Sequence, residues 1–227
     1  MSLVFHRGES LRVTNRDELQ PRWFISGQET GFTDVISTGN IEMIVTVFQP
    51  HTAKIFFHLP VSLSRDMNIP IRDMEDIELS DLAKKIEDAD NLEISIDLIE
   101  QFLLSRLLLE NKYNIPRLAA VVCHINNSVP INIKGLADVA CLSEKQFCRV
   151  FSEHIGTTPK DFLRIIRLQR TLSVLQHNPG IGFAQLSYEC GYTDQSHMIK
   201  EFKLFSGYTP KEDLNRYAPI SDYFSSI

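Results

Sequence analysis

The chain has 227 residues, of which 43% are hydrophobic, 23% charged and 9% aromatic, and this mix excludes a disordered, collagen-like or disulfide-scaffold protein. It suits one large globular domain or two small ones. The net charge of -6 argues against a nucleic-acid partner only until it is divided: residues 1–115 carry 11 Lys+Arg against 19 Asp+Glu, and residues 116–217 carry 12 against 9.

The front is therefore acidic and the rear mildly basic, a weaker footprint than many DNA-binding domains have. Cys123, Cys141, Cys148 and Cys190 form no CxxC pair, which gives no sign of structural zinc or of a thioredoxin-type centre. A reducing cytoplasm suits them. No apolar run reaches ~18 residues, and Met1–Ser10 carries charges where a signal peptide needs an apolar core. A cytoplasmic chain with no membrane partner is expected.

The front reads as strands. Trp23–Gly27, Ile41–Phe48 and Ala53–Leu59 are β-branched or aromatic runs of strand length, bounded by Gly39-Asn40 and Gln49-Pro50. Ile69-Pro70 marks another break. The hydrophobic period then changes: Ser80 is placed to cap a helix running to about Ala89, with Leu82 and Ile86 four apart. A longer helix is expected from Ile94 to Asn111, apolar on more than one face. Its second face is covered either by its own domain or by a second copy of the chain across a dimer seam at 94–111.

Tyr113-Asn-Ile-Pro116 interrupts that helix. The division is placed there, with a β-rich unit over 1–112 and an all-α unit over 116–217. Helices are expected over Pro116–Asn127, Gly135–Cys141, Ser143–Ile155, Pro159–His177, Gly182–Cys190, Asp194–Ser206 and Lys211–Tyr217. The fold class is α+β: a β-rich front with trailing helices, then two helix-turn-helix units joined by a long linker helix.

The rear half repeats itself. Leu136–Ser143 overlays Leu186–Thr193 at an offset of 50, and Phe151…Gly156…Pro159 overlays Phe202…Gly207…Pro210 at an offset of 51. Each copy has a short helix, a tight turn, a second helix with an inward Phe, and a closing Gly-x-Thr-Pro. A short helix, a tight turn and a second helix make the pattern whose second helix enters the DNA major groove. Ser143 and Gln146 have capping-box spacing. Phe147, Val150 and Phe151 face inward, leaving Glu144, Lys145, Gln146, Cys148 and Arg149 outside. In the second unit Gly191 suits a left-handed turn, Thr193 or Asp194 caps, and Met198, Phe202 and Phe205 face inward. Gln195, Ser196, His197, Ile199, Lys200 and Lys203 remain for groove and phosphate contacts. Arg and Lys can bond guanine O6 and N7, and Gln can pair with adenine. The recognition helices are placed at about 143–153 and 194–205.

The linker helix, about 27 Å long, could hold the two recognition helices in successive groove segments ~34 Å apart. Arg164, Arg167 and Arg170 recur along it, available either to phosphates or to hold the two halves together.

These stretches make residues 116–217 similar to the DNA-binding domain of the AraC/XylS family of bacterial transcription regulators. The resemblance is carried by Leu136-Ala-Asp-Val-Ala…Ser143…Arg149-Val-Phe151, by Gly156-Thr-Thr-Pro-Lys-Asp-Phe162 with Arg167-Leu168, and by Gly191-Tyr-Thr-Asp-Gln-Ser-His-Met…Phe202-Lys203 with Gly207-Tyr-Thr-Pro210. It covers about 102 residues. It implies base contacts early in each recognition helix: Lys145, Gln146, Cys148 and Arg149, then Gln195, Ser196, His197, Ile199 and Lys200. Cys141 stands where the family often has a turn Gly, and Thr171 where it often has Ala. The front half resembles, more weakly, the β-rich regions attached to such domains, through Phe24–Gln28 and Phe56–Pro60. That resemblance implies a sensor or dimerisation role, with a small-molecule effector, a homodimer and RNA polymerase as further partners beside double-stranded DNA. About 115 residues is short for a complete ligand-holding barrel, so a truncated or a degenerate sensor is expected.

Other chemistry has less support. His51 and His58 lie seven apart without an adjacent His-x-His pair, and the other histidines lack zinc-enzyme spacing, so no metal or cofactor is expected. GxSxG, P-loop and GxGxxG motifs are missing, and no catalytic residues are assigned. Asp73/Glu75/Asp76 and Glu87/Asp88/Asp90 read as solvating acids. The alternative to a DNA-binding regulator is a small-molecule or protein-binding module whose rear domain is vestigial.

Overall fold

The computed structural model describes residues 1–57, 61–107, 114–127 and 132–216. Strands β1 (Ser2–His6), β2 (Arg12–Val13), β3 (Glu18–Leu19), β4 (Trp23–Ser26), β5 (Val35–Ile36) and β6 (Met43–Val47) come first. Helix α1 (Ala53–Phe56), strand β7 (Asn68–Pro70), α2 (Ile77–Glu87) and α3 (Leu92–Leu107) follow. Among the described residues one antiparallel sheet has the order β6-β1-β4-β7 and a smaller one the order β3-β2-β5. In register, Phe5 faces Trp23 on one side and Ile44 on the other.

β1 lies between two neighbours and buries residues 3–6, although its Ser-Leu-Val-Phe-His run was not singled out from the sequence. Its two faces do different work, because successive side chains point to opposite sides. Leu3 and Phe5 join Ile25, Leu79, Leu82, Ile86, Ile99 and Phe102 in the core beneath α2 and α3. His6 turns the other way, stacks 6.0 Å from Phe24 and meets Gln20 Oε1 at 3.1 Å.

Several expectations for the front need correction. Residues 53–56 are a helical turn rather than a strand, and His58 and Leu59 lie outside the described residues. A short apolar run fits either period, and here tertiary contact decides. Thr52 turns back onto Gln49 O, and the Phe56 carbonyl accepts Arg106 Nη1 at 2.6 Å from α3 instead of bonding a neighbouring strand. The cap of α2 is Asp76, four residues before Ser80, accepting from Leu79 N at 3.0 Å. Asp76 is also no solvating acid. It is buried, and it grips Arg106 through both oxygens at 2.5 and 2.6 Å. α3 begins at Leu92; residues 108–113, with the expected end of this helix and part of the expected boundary, lie outside the described residues.

The rear is helical: α4 (Ile115–Asn127), α5 (Ile133–Val139), α6 (Glu144–Ile155), α7 (Pro159–His177), α8 (Phe183–Glu189), α9 (Gln195–Ser206) and α10 (Pro210–Arg216). These agree with the sequence bounds to within two residues, and Tyr217 lies outside the described residues. Two apolar cores serve them. The first joins Leu118, Val121 and Ile125 of α4 to Leu136 of α5 and to Phe147, Phe151 and Ile155 of α6. The second joins Leu186 and Cys190 to Tyr192, Met198 and Phe202. α7 belongs to both. Its first half gives Phe162, Leu163 and Ile166 to the first core, and its second half gives Leu175, with Leu168 and Leu172 against it, to the second.

Candidate nucleic-acid interface

The two halves of the repeat are built alike, bond for bond. After α5 the chain turns through Cys141 at φ 54°, and Leu142 N donates to Ala137 O at 3.0 Å. After α8 it turns through Gly191 at φ 78°, and Tyr192 N donates to Ser187 O at 2.9 Å. The left-handed conformation costs a residue with a Cβ roughly 1–2 kcal/mol, and Cys141 takes it where glycine would be at ease. Each second helix is capped at its start. Ser143 and Gln146 form a full capping box on α6, and Asp194 accepts from His197 N at 2.8 Å on α9. Each ends on a left-handed glycine, Gly156 at φ 87° and Gly207 at φ 81°. That is the physical content of the repeated Gly-x-Thr-Pro: the glycine stops one helix, and the following Thr-Pro opens the next, with Thr158 capping α7 and Pro159 in its first turn.

On α6, Lys145, Gln146 and Arg149 are exposed, while Cys148 is half-buried against the first core. Gln146 Oε1 also closes the capping box, accepting from Ser143 N at 3.4 Å. Arg149 pairs along the surface with Glu153 at 3.3 Å. On α9, Gln195, Ser196, Lys200 and Lys203 are exposed. Ile199 packs partly into the second core, and His197 is half-buried, its ring edge-on to Tyr192 at 5.5 Å. Seven of the ten named side chains thus face solvent at the starts and outer faces of α6 and α9. Cys148, His197 and Ile199 lean inward.

The linker arginines hold the structure together. Arg164 Nε donates to Glu201 Oε1 at 2.8 Å, and Arg167 Nη2 to Glu201 Oε2 at 3.0 Å. Arg170 donates to the Ile125 carbonyl of α4. Burial opposes the charge of Glu201, yet its bonds to Arg164 and Arg167 hold it below the usual carboxylate range. Tyr192, beneath Arg167, is pushed by burial up to about 12. Thr171 is fully buried, its hydroxyl donating to Arg167 O at 2.8 Å and lying 3.5 Å from the Tyr192 hydroxyl. A polar residue is accommodated there because its hydroxyl is satisfied by the carbonyl one turn back in its own helix.

Glu201 was not singled out from the sequence. The signal was its place three residues after Met198, on the inward stripe where Val150 stands in the first unit. A carboxylate on such a stripe needs a counter-charge. Among the described residues no group of three or more His, Cys, Asp or Glu is placed to hold a metal, and no helix is long and apolar enough to cross a membrane. All four cysteines are unpaired thiols.

Fold and surface define a double helix-turn-helix. A family model described as a helix-turn-helix domain matches residues 136–216, and one described as a domain of unknown function (DUF6597) matches residues 1–70. The chain is similar to the HTH-type transcriptional regulator ArgR of Pseudomonas aeruginosa, 26% identical over 98 residues that make up 43% of this chain and 30% of that protein. It is also similar to an uncharacterized HTH-type transcriptional regulator of Haemophilus influenzae, 32% identical over 119 residues, 52% of this chain and 38% of the other. The chain thus spans about a third of the length of these relatives. The structure of ToxT from Vibrio cholerae O395 shares the fold, with a TM-score of 0.50 and 11% identity over 96% of this chain and 90% of that one. Together the two units, residues 136–216, form a helix-turn-helix domain.

Proposed function

We propose that the chain is a sequence-specific DNA-binding transcription regulator that inserts α6 and α9 into successive major-groove segments. The observation that carries this is the duplicated turn geometry. Two capped recognition helices are held on one linker helix, each presenting polar and basic side chains at its start. α7 has 19 residues, about 28 Å at ~1.5 Å per residue, which suits a groove repeat of ~34 Å once the recognition helices extend beyond its ends. Lys145, Gln146, Cys148 and Arg149, with Gln195, Ser196, His197, Ile199 and Lys200, are the proposed base-edge group. Lys203 is assigned to phosphate.

The proposed division is a front unit over 1–112 and a DNA-binding unit over 116–217. Dimerisation through 94–111 belongs to the same reading. Its support is the row of exposed Ile96, Leu104 and Leu107 on α3, away from the buried Ile99, Phe102 and Arg106. A small effector acting on the front unit is supported by a cleft of about 190 Å³ bordered by Arg16, Gln20, Glu29, Asp66 and Asn68. RNA polymerase is the further partner this reading implies.

The test is selection of bound duplexes from a random DNA pool at physiological salt. A bipartite motif with blocks about one helical turn apart is expected. Absence of any enriched sequence would overturn the reading. For the dimer, sedimentation across a concentration series is the check, and a concentration-independent monomer mass removes it.

A further inference from the structure

We infer that Arg65 of the front unit is a positioning residue for the second recognition helix, acting through an unbroken chain of ion pairs and supported by Phe32. Arg65 Nη2 donates to Asp161 Oδ2 at 2.9 Å, near the start of α7. The other oxygen of Asp161 accepts from Arg164 at 3.3 Å, and Arg164 donates to Glu201 of α9 at 2.8 Å. Glu201 in turn holds Arg167 and lies 3.4 Å from His197 Nε2, one turn back on the face proposed to read bases. Burial works against the Asp161 charge, but the Thr158 hydroxyl and the Arg65 and Arg164 guanidiniums keep its carboxyl below the ordinary range. Each carboxylate in the chain is shared by two arginines, so loosening one end shifts the partners available at the next.

Arg65 can transmit position because its own seat is fixed. The Val61–Ser64 turn is closed by Ser64 Oγ donating to Val61 O at 2.7 Å. It lies directly on Gly27, where a Cβ would fall 1.7 Å from Ser64 O. Asp66 turns through φ 55° and accepts from Thr30 N at 2.6 Å and from its hydroxyl. Thr30, two residues before Phe32, is thereby tied to the Arg65 loop.

The same paired loops touch both recognition helices at their ends. A Cβ on Gly156 would lie 2.9 Å from Val61 Cγ1, and one on Gly207 would lie 2.9 Å from Phe32 Cε2. Val61 therefore rests on the end of α6, Phe32 on the end of α9, and Arg65 on the start of the helix between them. Three contacts from this loop pair therefore bear on α6, α7 and α9.

The inference rests on the DNA-binding reading for its consequence, though not for its geometry, and the test separates the two. Amide hydrogen exchange is measured on the full chain without DNA for the wild type, Arg65→Ala, Arg65→Lys and Phe32→Ala. Arg65→Ala and Phe32→Ala should speed exchange across α9 by about threefold relative to α6, with Arg65→Lys in between. Exchange in α9 that is unchanged, or that changes equally in α6 and α9, overturns the inference whether or not DNA binds.

With the duplex selected by the wild type, Arg65→Ala should weaken binding about two- to fivefold, the range open to a partly exposed ion pair. The loss of base discrimination should fall in the block read by α9, and ~1 M salt should erase the difference between variants. An even loss over both blocks, or a gain in affinity, would also overturn it. Should the wild type select no sequence, the DNA-binding reading falls while the exchange comparison still decides the placement of α9.

Discussion

Arg106 ties three helices of the front unit together. It crosses from α3 to the cap of α2, bonds the Phe56 carbonyl of α1, and lies 4.4 Å over the Phe102 ring. It and Asp76 are nearly inaccessible, with side-chain exposures of 3% and 5%. Arg106→Ala should cost about 3–5 kcal/mol, because it strips a buried carboxylate of its counter-charge and α1 of its bond. Urea unfolding followed by circular dichroism measures it; a loss below ~1 kcal/mol would show that water readily replaces the guanidinium. Cys141 offers the opposite case. Held at φ 54° and exposed, it should be replaced by glycine with a gain of about 0.5–1 kcal/mol, read as a rise in thermal midpoint. A lower midpoint would mean that glycine's greater freedom in the unfolded chain outweighs the relieved strain.

Among the helices, the two recognition helices are matched in their caps and differ in how they are held. α6 is seated by an apolar stripe, whereas α9 places Glu201 at the position of Val150 and relies on two linker arginines. That difference makes the seat of α9 depend on a charged carboxylate. Folding lowers the Glu201 pKa from its ordinary 4.5, so the folded chain binds this proton more weakly than the unfolded chain does. Its contribution is complete above that value and is lost as the pH falls through the lower folded one. Glu201→Gln should therefore destabilise by about 1–3 kcal/mol at neutral pH, since the arginines it pairs with are about a quarter exposed. The gap from wild type should narrow as the pH falls below 4.5. Unfolding curves between about pH 7 and 3 decide this, and a gap constant with pH would mean that the carboxylate's charge is not what holds α9.

On the proposed DNA-binding reading, the net charge of -6 predicts that binding by the whole molecule depends on local cations rather than on the overall field. Arg149→Ala should weaken binding to the selected sequence by about 1–3 kcal/mol and relax preference at one base, while Lys203→Ala should weaken all sequences alike and reduce the salt slope by about one. Fluorescence anisotropy on matched and mismatched duplexes at several salt concentrations separates the two outcomes. An Arg149→Ala variant with unaltered base preference would remove that residue from base reading.

How much of this was legible without coordinates depended on how local the cause was. The rear unit was readable because its determinants are near neighbours in the chain: Ser143 with Gln146, Asp194 with the α9 amides, the turn at Gly191, and the glycines that stop α6 and α9. Their repetition at offsets of 50 and 51 made the pattern unmistakable. The exposed starts of both recognition helices followed from the same periodicity. The front unit was less readable, because its determinants are distant partners. Ala53–Phe56 fits a strand or a helix until Arg106, fifty residues on, takes the Phe56 carbonyl. Asp76 looks like a solvated acid until the same arginine reaches it.

In the rear unit the three linker arginines repeat at regular spacing, but only packing decided that Arg164 and Arg167 meet Glu201 and that Arg170 reaches Ile125. The chain alone determined the duplicated helix-turn-helix and the faces it offers, since caps, turns and hydrophobic period act within a few residues. Tertiary structure alone decided which charges are consumed inside the fold and how the front unit rests on both recognition helices, since those are meetings of groups tens of residues apart.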